Sequence, residues 1–216
     1  MNILVKIQKK LTLINRTIAK NRKIEYIVIH YVGAVSSAKN NVDYFYDKDR
    51  QSSAHYFVDE KSIWQCVEDT NIAWHCGGAK KYFSNCRNSN SIGIELCCKK
   101  DKAGKWYFED KTLENATELV RSLMNKYNVK FENIIRHYDV THKVCPKPFV
   151  DDAKYWNKFK EGIKMQDITD PGEALEYLIE KGRITSGEYW KNALSIVKNL
   201  DSLLVKWAND VKKIEE

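Results

Sequence analysis

Ile24-Glu25-Tyr26-Ile27-Val28-Ile29-His30 is an almost unbroken apolar, β-branched run that stops on an imidazole. It lacks the polar alternation of a half-wet strand, so it reads as a central strand covered on both sides. Two further runs resemble it. Ile92-Gly93-Ile94-Glu95-Leu96-Cys97-Cys98 carries an acid in its middle, and Asn133-Ile134-Ile135-Arg136 delivers His137 at its end.

Between these runs the period changes. Thr112–Tyr127 is the clearest helix, with Leu113, Ala116, Leu119, Val120, Leu123, Met124 and Tyr127 on one stripe and Thr112 as N-cap. Ser36–Arg50 reads as a helix with Val42, Phe45 and Tyr46 turned inward, and Asp151–Gly162 as another with Trp156 and Phe159 inward. His55–Val58 and Ser62–Val67 flank Asp59-Glu60-Lys61 as a hairpin. Trp74–Ser91 is rich in Gly, Asn, Ser and Lys, and loops of this length are often binding loops.

The chemistry concentrates in Arg136–Pro146, which holds two histidines, a lysine and a cysteine. His30, His137 and Cys145 supply two strand-end imidazoles and a thiolate. Three such ligands with a fourth position open match a catalytic zinc site; a structural zinc more often has four ligands in tight pairs, and the chain has no CxxC.

Composition narrows the class. The 216 residues have 43% hydrophobic and 12% aromatic content, enough for a mid-sized domain plus a small appendage. No apolar run approaches the roughly 18 residues of a membrane span. Lys6, Gln8, Lys9 and Lys10 interrupt the apolar residues near the start, so no secretory core forms. The expectation is synthesis in a host cytoplasm without a signal peptide. The net charge of +7 sits in residues 1–23, which hold seven basic residues and no acid. These read as a basic arm, either a solvated tail or a contact for a polyanion such as wall polymer. Nothing resembles a nucleic-acid module. The cysteines at 66, 76, 86, 97, 98 and 145 are irregularly spaced and read as buried thiols, with a Cys76–Cys86 bridge as the alternative.

From Asp167 the character shifts. Asp170-Pro171-Gly172-Glu173 opens a helix, Gly182 closes it, Thr185 or Ser186 opens the next, and Leu200, Leu203, Leu204, Trp207, Val211 and Ile214 form a third stripe. The domain reading is therefore 1–23 arm, 24–164 catalytic domain and 167–216 three-helix segment. That segment is expected to pack on the first domain or on a copy of itself as a homodimer.

Residues 24–149 resemble the zinc-dependent N-acetylmuramoyl-L-alanine amidases of the peptidoglycan-recognition-protein type (amidase_2), in particular phage endolysins and prophage autolysins of Gram-positive hosts. The resemblance lies in YIVIHY at 26–31, SAHYFV at 53–58, AWHCG at 73–77, SIGIEL at 91–96 and HYDVTHKVCP at 137–146. It implies an α/β fold, a mixed, mostly parallel sheet flanked by helices, with zinc in a surface groove. It also implies hydrolysis of the amide between N-acetylmuramic acid and L-alanine in peptidoglycan, reached in a phage setting after holin-type release. His30, His137 and Cys145 fall on the family's zinc ligands, Glu95 on its acid–base position and Lys143 on its oxyanion-stabilising position. The branch with a catalytic Tyr would need one where this chain has Ala54. Tyr31, His75 and His142 are expected substrate contacts, and His142, where similar sequences tend to have Gly, is also a candidate rival ligand. The competing readings are a non-hydrolysing peptidoglycan receptor, against which Cys145 speaks, and a cytosolic muropeptide-recycling amidase.

Overall fold

A computed structural model describes residues 6–77, 82, 85–164 and 170–215, with side chains as far as Lys212. The chain forms two compact units divided between Lys164 and Met165. The first is built on a six-stranded sheet in the order β1 (Ile7–Lys9), β4 (Ile63–Gln65), β3 (Tyr56–Val58), β5 (Ser91–Leu96), β2 (Tyr26–Tyr31), β8 (Ile134–Arg136). Neighbours run parallel except the β3–β4 hairpin. A small antiparallel ribbon, β6 (Lys99–Lys100) and β7 (Trp106–Tyr107), lies apart from the sheet. This is the mixed, mostly parallel α/β architecture expected.

Period-two alternation sorts the strands into two faces. On β5, Ile92, Ile94 and Leu96 join Ile27 and Ile29 of β2, Tyr56 and Val58 of β3, and Ile134 of β8 in the main core. Helices α2 (Asp110–Tyr127) and α5 (Ala153–Ile163) supply Ala116, Leu119, Val120, Leu123, Trp156, Phe159 and Ile163 to the same cluster. Burying each such aliphatic chain contributes about 1.5–3 kcal/mol. The alternate residues of β5, Ser91, Gly93 and Glu95, stand opposite Tyr26, Val28 and His30 of β2 on the other face.

Turn chemistry holds this frame. Asp59 Oδ1 accepts from the backbone of Lys61 and Ser62 and shapes the β3–β4 turn, while Oδ2 accepts from Ala38 N at 2.7 Å. That second bond, with Ser37 Oγ accepting from Asn40, caps α1 (Ala38–Tyr46). α1 ends before Arg50, and Tyr46 is exposed rather than turned to the core. α2 begins three residues earlier than the Thr112 cap implied. Glu109 is the extended residue before it and Asp110 occupies the first turn, where an acid suits the helix dipole.

The amino-terminal segment is part of the fold rather than a separate basic arm. β1 pairs in parallel with β4, and Asn15 donates to the carbonyls of Phe45 and Lys48 at 2.7 Å each. Arg22 drives its guanidinium inward onto the carbonyls of Asn71 and Ser91. Lysines at 9, 10 and 23 do remain on the outside as pairs with acids. Residues 1–5 of that segment lie outside the described residues.

The second unit contains α6 (Pro171–Glu180), α7 (Gly187–Leu194) and α8 (Leu200–Glu215). Asp170 caps α6 by accepting from Glu173 N at 2.9 Å, and Gly182 takes a left-handed φ of 65° after it. Its core is Ala174, Leu175, Leu178, Ile184, Leu200, Leu204, Ala208 and Val211, with Trp190 packed on it. Buried α8 positions advance by four, four and three, so Leu203 and Trp207 fall on the flank and are exposed, unlike the expected stripe. The linker around Asp167 and the side chain of Ile214 lie outside the description. No helix among the described residues is long and apolar enough to cross a membrane.

Candidate metal centre and active site

Parallel strands place functional groups at their carboxyl ends, and here three neighbouring strands do so. His30 is the penultimate residue of β2, Glu95 of β5, and the two are register partners. His137 follows β8 and opens α3 (His137–Thr141). Asp139 fixes that entry by accepting from Arg136 N at 2.8 Å and pairing with its guanidinium at 2.7 Å. α3 ends on His142 in a left-handed conformation, φ 60°, and the chain turns back on itself. Tyr138 N then donates to Cys145 O at 2.8 Å, which returns the cysteine to the start of α3.

The turn brings together the three groups that lie farthest apart in sequence. Cys145 Sγ is 3.7 Å from His30 Nδ1, and the His30 and His137 rings are 4.7 Å apart. Ligand-capable atoms of His30, His137 and Cys145 all lie within 4.8 Å of one another, and so do those of His30, His75 and Cys76. The two sets share His30. Cys145 lies toward its Nδ1, while His75 Nδ1 is 3.1 Å from its Nε2.

Burial decides the charge state of these groups. It holds His30 and His75 well below the usual imidazole range, with the neighbouring histidines adding to the effect. His55, beneath His75, is brought down to about 3 by burial and then by Arg22. Desolvation pushes the Cys145 thiol up to about 12; Glu95 adds to this and Lys143 opposes it. Neutral imidazoles and a thiol suit a soft divalent cation, whose charge would take the thiol proton away. The donor set therefore fits zinc.

Glu95 is half-buried, yet its Oε2 is sealed from solvent with no hydrogen-bond partner among the described residues. Desolvation pushes its carboxyl up to about 8, against the nearby Lys143 charge. An orphaned carboxylate oxygen is costly, so this atom is kept for a proton or a ligand. Lys143 lies with His142 and Val144 on an exposed lip of the site.

The expected substrate contacts divide. Tyr31 is half-buried with its ring edge-on to Trp106, centroids 6.1 Å apart. His142 is exposed and stacks on Tyr82 at 3.5 Å, with Tyr138 at 5.3 Å. It belongs to neither ligand-capable group among the described residues. His75 is buried under His30, with Ser91 Oγ at 3.2 Å from its Nε2, so it sits below the site rather than facing substrate. The thiols of Cys76 and Cys86 are both buried in the cluster that includes Val28, Ile135 and Val140, and no cysteine among the described residues is bridged. Part of the loop expected to bind, residues 78–81, 83 and 84, lies outside the description.

Sequence reasoning overlooked Gly77, Asn88, Ser91 and Gly93. Asn88 Oδ1 accepts from the backbone of His75 and Cys76 and fixes the 74–77 loop. A Cβ on Gly93 would lie 2.5 Å from the His75 ring, so only glycine lets that ring cross β5. The Ser-x-Gly-x-Glu alternation in β5 was the available signal.

Residues 20–148 match the family model described as N-acetylmuramoyl-L-alanine amidase. The amidase CwlL of Bacillus licheniformis is 34% identical over 173 residues, covering 74% of this chain and 47% of its own length. The chain thus spans about half of that relative. The solved structure of PlyL superimposes with a TM-score of 0.64 at 28% identity, covering 76% of this chain and 99% of PlyL. A mutant endolysin from Bacillus subtilis gives 0.61 at 29% identity, covering 74% and 99%.

Proposed function

This chain belongs to the N-acetylmuramoyl-L-alanine amidase family, and from that premise we propose that it is a zinc amidase of Gram-positive peptidoglycan. The bond cut is the amide between N-acetylmuramic acid and L-alanine. One observation carries the reading: His30, His137 and Cys145 converge beside a carboxyl with an orphaned oxygen. A binding-only receptor has no use for a buried thiol in that set.

His30, His137 and Cys145 would hold the metal, which supplies Lewis acidity toward a carbonyl oxygen and toward water. Glu95 accepts a proton from the attacking water and returns it to the leaving alanine nitrogen. A carboxyl raised toward neutrality is suited to both transfers. Lys143 offsets the oxyanion of the tetrahedral intermediate from the lip, an effect of about 3 kcal/mol. Tyr31 beside Trp106, and His142 within the Tyr82–Tyr138 stack, give flat aromatic walls against which a sugar or peptide can lie.

The Bacillus relatives support a Gram-positive wall as target, reached after release from the cell that makes the protein, through a holin if the gene is a phage's. For the helical unit, exposed Tyr189, Ile196, Leu203 and Trp207 support contact with wall polymer or with a second copy. Sedimentation of the full chain with and without sacculi separates the two.

Digestion of Gram-positive sacculi tests the activity. New alanine amino termini that disappear with a zinc chelator are expected. New reducing sugars would mean a glycosidase, and tight binding without either product would mean a receptor.

A further inference from the structure

We infer that the His75–Gly77 loop sets the tautomer of both ligand imidazoles, His75 acting on His30 and the Gly77 carbonyl on His137. This positioning role rests on the ligand set proposed above.

The direction of each bond follows from groups that can only accept. Ser91 Oγ lies 2.6 Å from the carbonyl of Arg87, so the hydroxyl proton goes there. The lone pair of Ser91 Oγ is then left to accept from His75 Nε2 at 3.2 Å. A neutral His75 protonated at Nε2 has a bare Nδ1, and His30 Nε2 lies 3.1 Å from it. The Cys76 thiol lies 3.2 Å from the same nitrogen; with His30 as the donor, its proton sits on Nε2, which leaves Nδ1 bare on the side of Cys145. The carbonyl of Gly77, 3.2 Å from His137 Nε2, imposes the same tautomer on the second ring. Each ring thus offers Nδ1 as its ligand atom.

The loop is rigid enough for this. Asn88 clamps its backbone at His75 and Cys76, and Trp74 exchanges bonds with Ser53 at 2.9 and 3.0 Å. Gly93 yields the space that His75 occupies. Partners of ligand histidines typically change metal affinity by roughly 10–100-fold when lost.

The test uses the full chain, zinc competition against a chromophoric chelator, and long-range 15N imidazole spectra of metal-free and zinc-loaded protein. In wild type both His30 and His137 should be protonated at Nε2 in both states. Ser91→Ala and His75→Phe should weaken zinc about 10–100-fold and mix the His30 tautomers. His75→Asn, whose amide oxygen can replace Nδ1 as acceptor, should restore most of the affinity. Wild-type affinity with an unchanged His30 tautomer in Ser91→Ala and His75→Phe would overturn the inference, and Ser91→Ala keeps the test open if the Phe variant does not fold. Failure of the ligand set itself reads differently. In that case Cys145→Ala keeps zinc and Cys76→Ala loses it, whereas the inference expects the reverse.

Discussion

Ile94 and Glu95 are consecutive residues of one strand, and they face opposite worlds. Ile94 enters a dry cluster under α2 and α5 with Ile27, Ile29 and Leu96. Glu95 enters a face of histidines and a thiol, and brings to it an orphaned carboxylate oxygen of its own. The apolar face holds the sheet together through burial. The polar face draws on that stability, because buried imidazoles and a desolvated carboxyl are each unfavourable without a cation. Substitutions on the two faces should therefore fail in different ways.

The largest effect is expected at Cys145. Cys145→Ser should bind zinc too weakly to survive dialysis and cut amidase turnover by at least about 10⁴-fold, with zinc content and sacculus digestion as readouts. Retained metal with retained turnover would move the centre to the His75–Cys76 side.

Ile94→Ala should behave in the opposite manner. It should cost about 2–5 kcal/mol in denaturant unfolding while leaving zinc content and low-temperature turnover near wild type. Loss of turnover at full fold would break the separation of the faces.

Lys143→Met should lower turnover about 10²-fold with little change in zinc affinity or melting temperature, since the side chain is exposed on the lip. A pure rise in KM would mean that it binds substrate instead.

The sharpest test of the polar face is a pH dependence of metal-free protein. The folded Glu95 carboxyl is raised to about 8 from its ordinary value of 4.5. Folded protein therefore binds more protons than unfolded protein between those values, and wild type loses stability relative to Glu95→Gln as pH rises through that window. Denaturation in chelator should show the two alike at pH about 4 and Glu95→Gln more stable by a few kcal/mol at pH about 8.5. Equal stability at both pH values would mean that Glu95 is solvated.

The apolar face was nearly all legible in advance, because strand and helix periodicities are local. Ile27, Ile29, Leu119 and Trp156 lie inside as their spacing implied. Of the polar face, the strand-end residues His30, Glu95 and His137 were visible as chemistry breaking an apolar pattern. What escaped was long-range hydrogen bonding. Ser91 and Gly93 looked like ordinary strand residues, and nothing local showed that His75 would pass over one and bond the other. Arg22 falls within the basic arm that charge patterning implies, because patterning cannot reveal the two buried carbonyls, of Asn71 and Ser91, that take its guanidinium. On α8, the exposed Leu203 and Trp207 show how a stripe wider than the buried face misleads.

Amide cleavage by Glu95→Gln at zinc occupancy matched to wild type tests the account most directly. New alanine amino termini from sacculi should form about 10²–10⁴ times more slowly than with wild type, while zinc stays bound. Wild-type rates in the zinc-loaded variant would contradict it, and would leave the orphaned oxygen on β5 without a catalytic role.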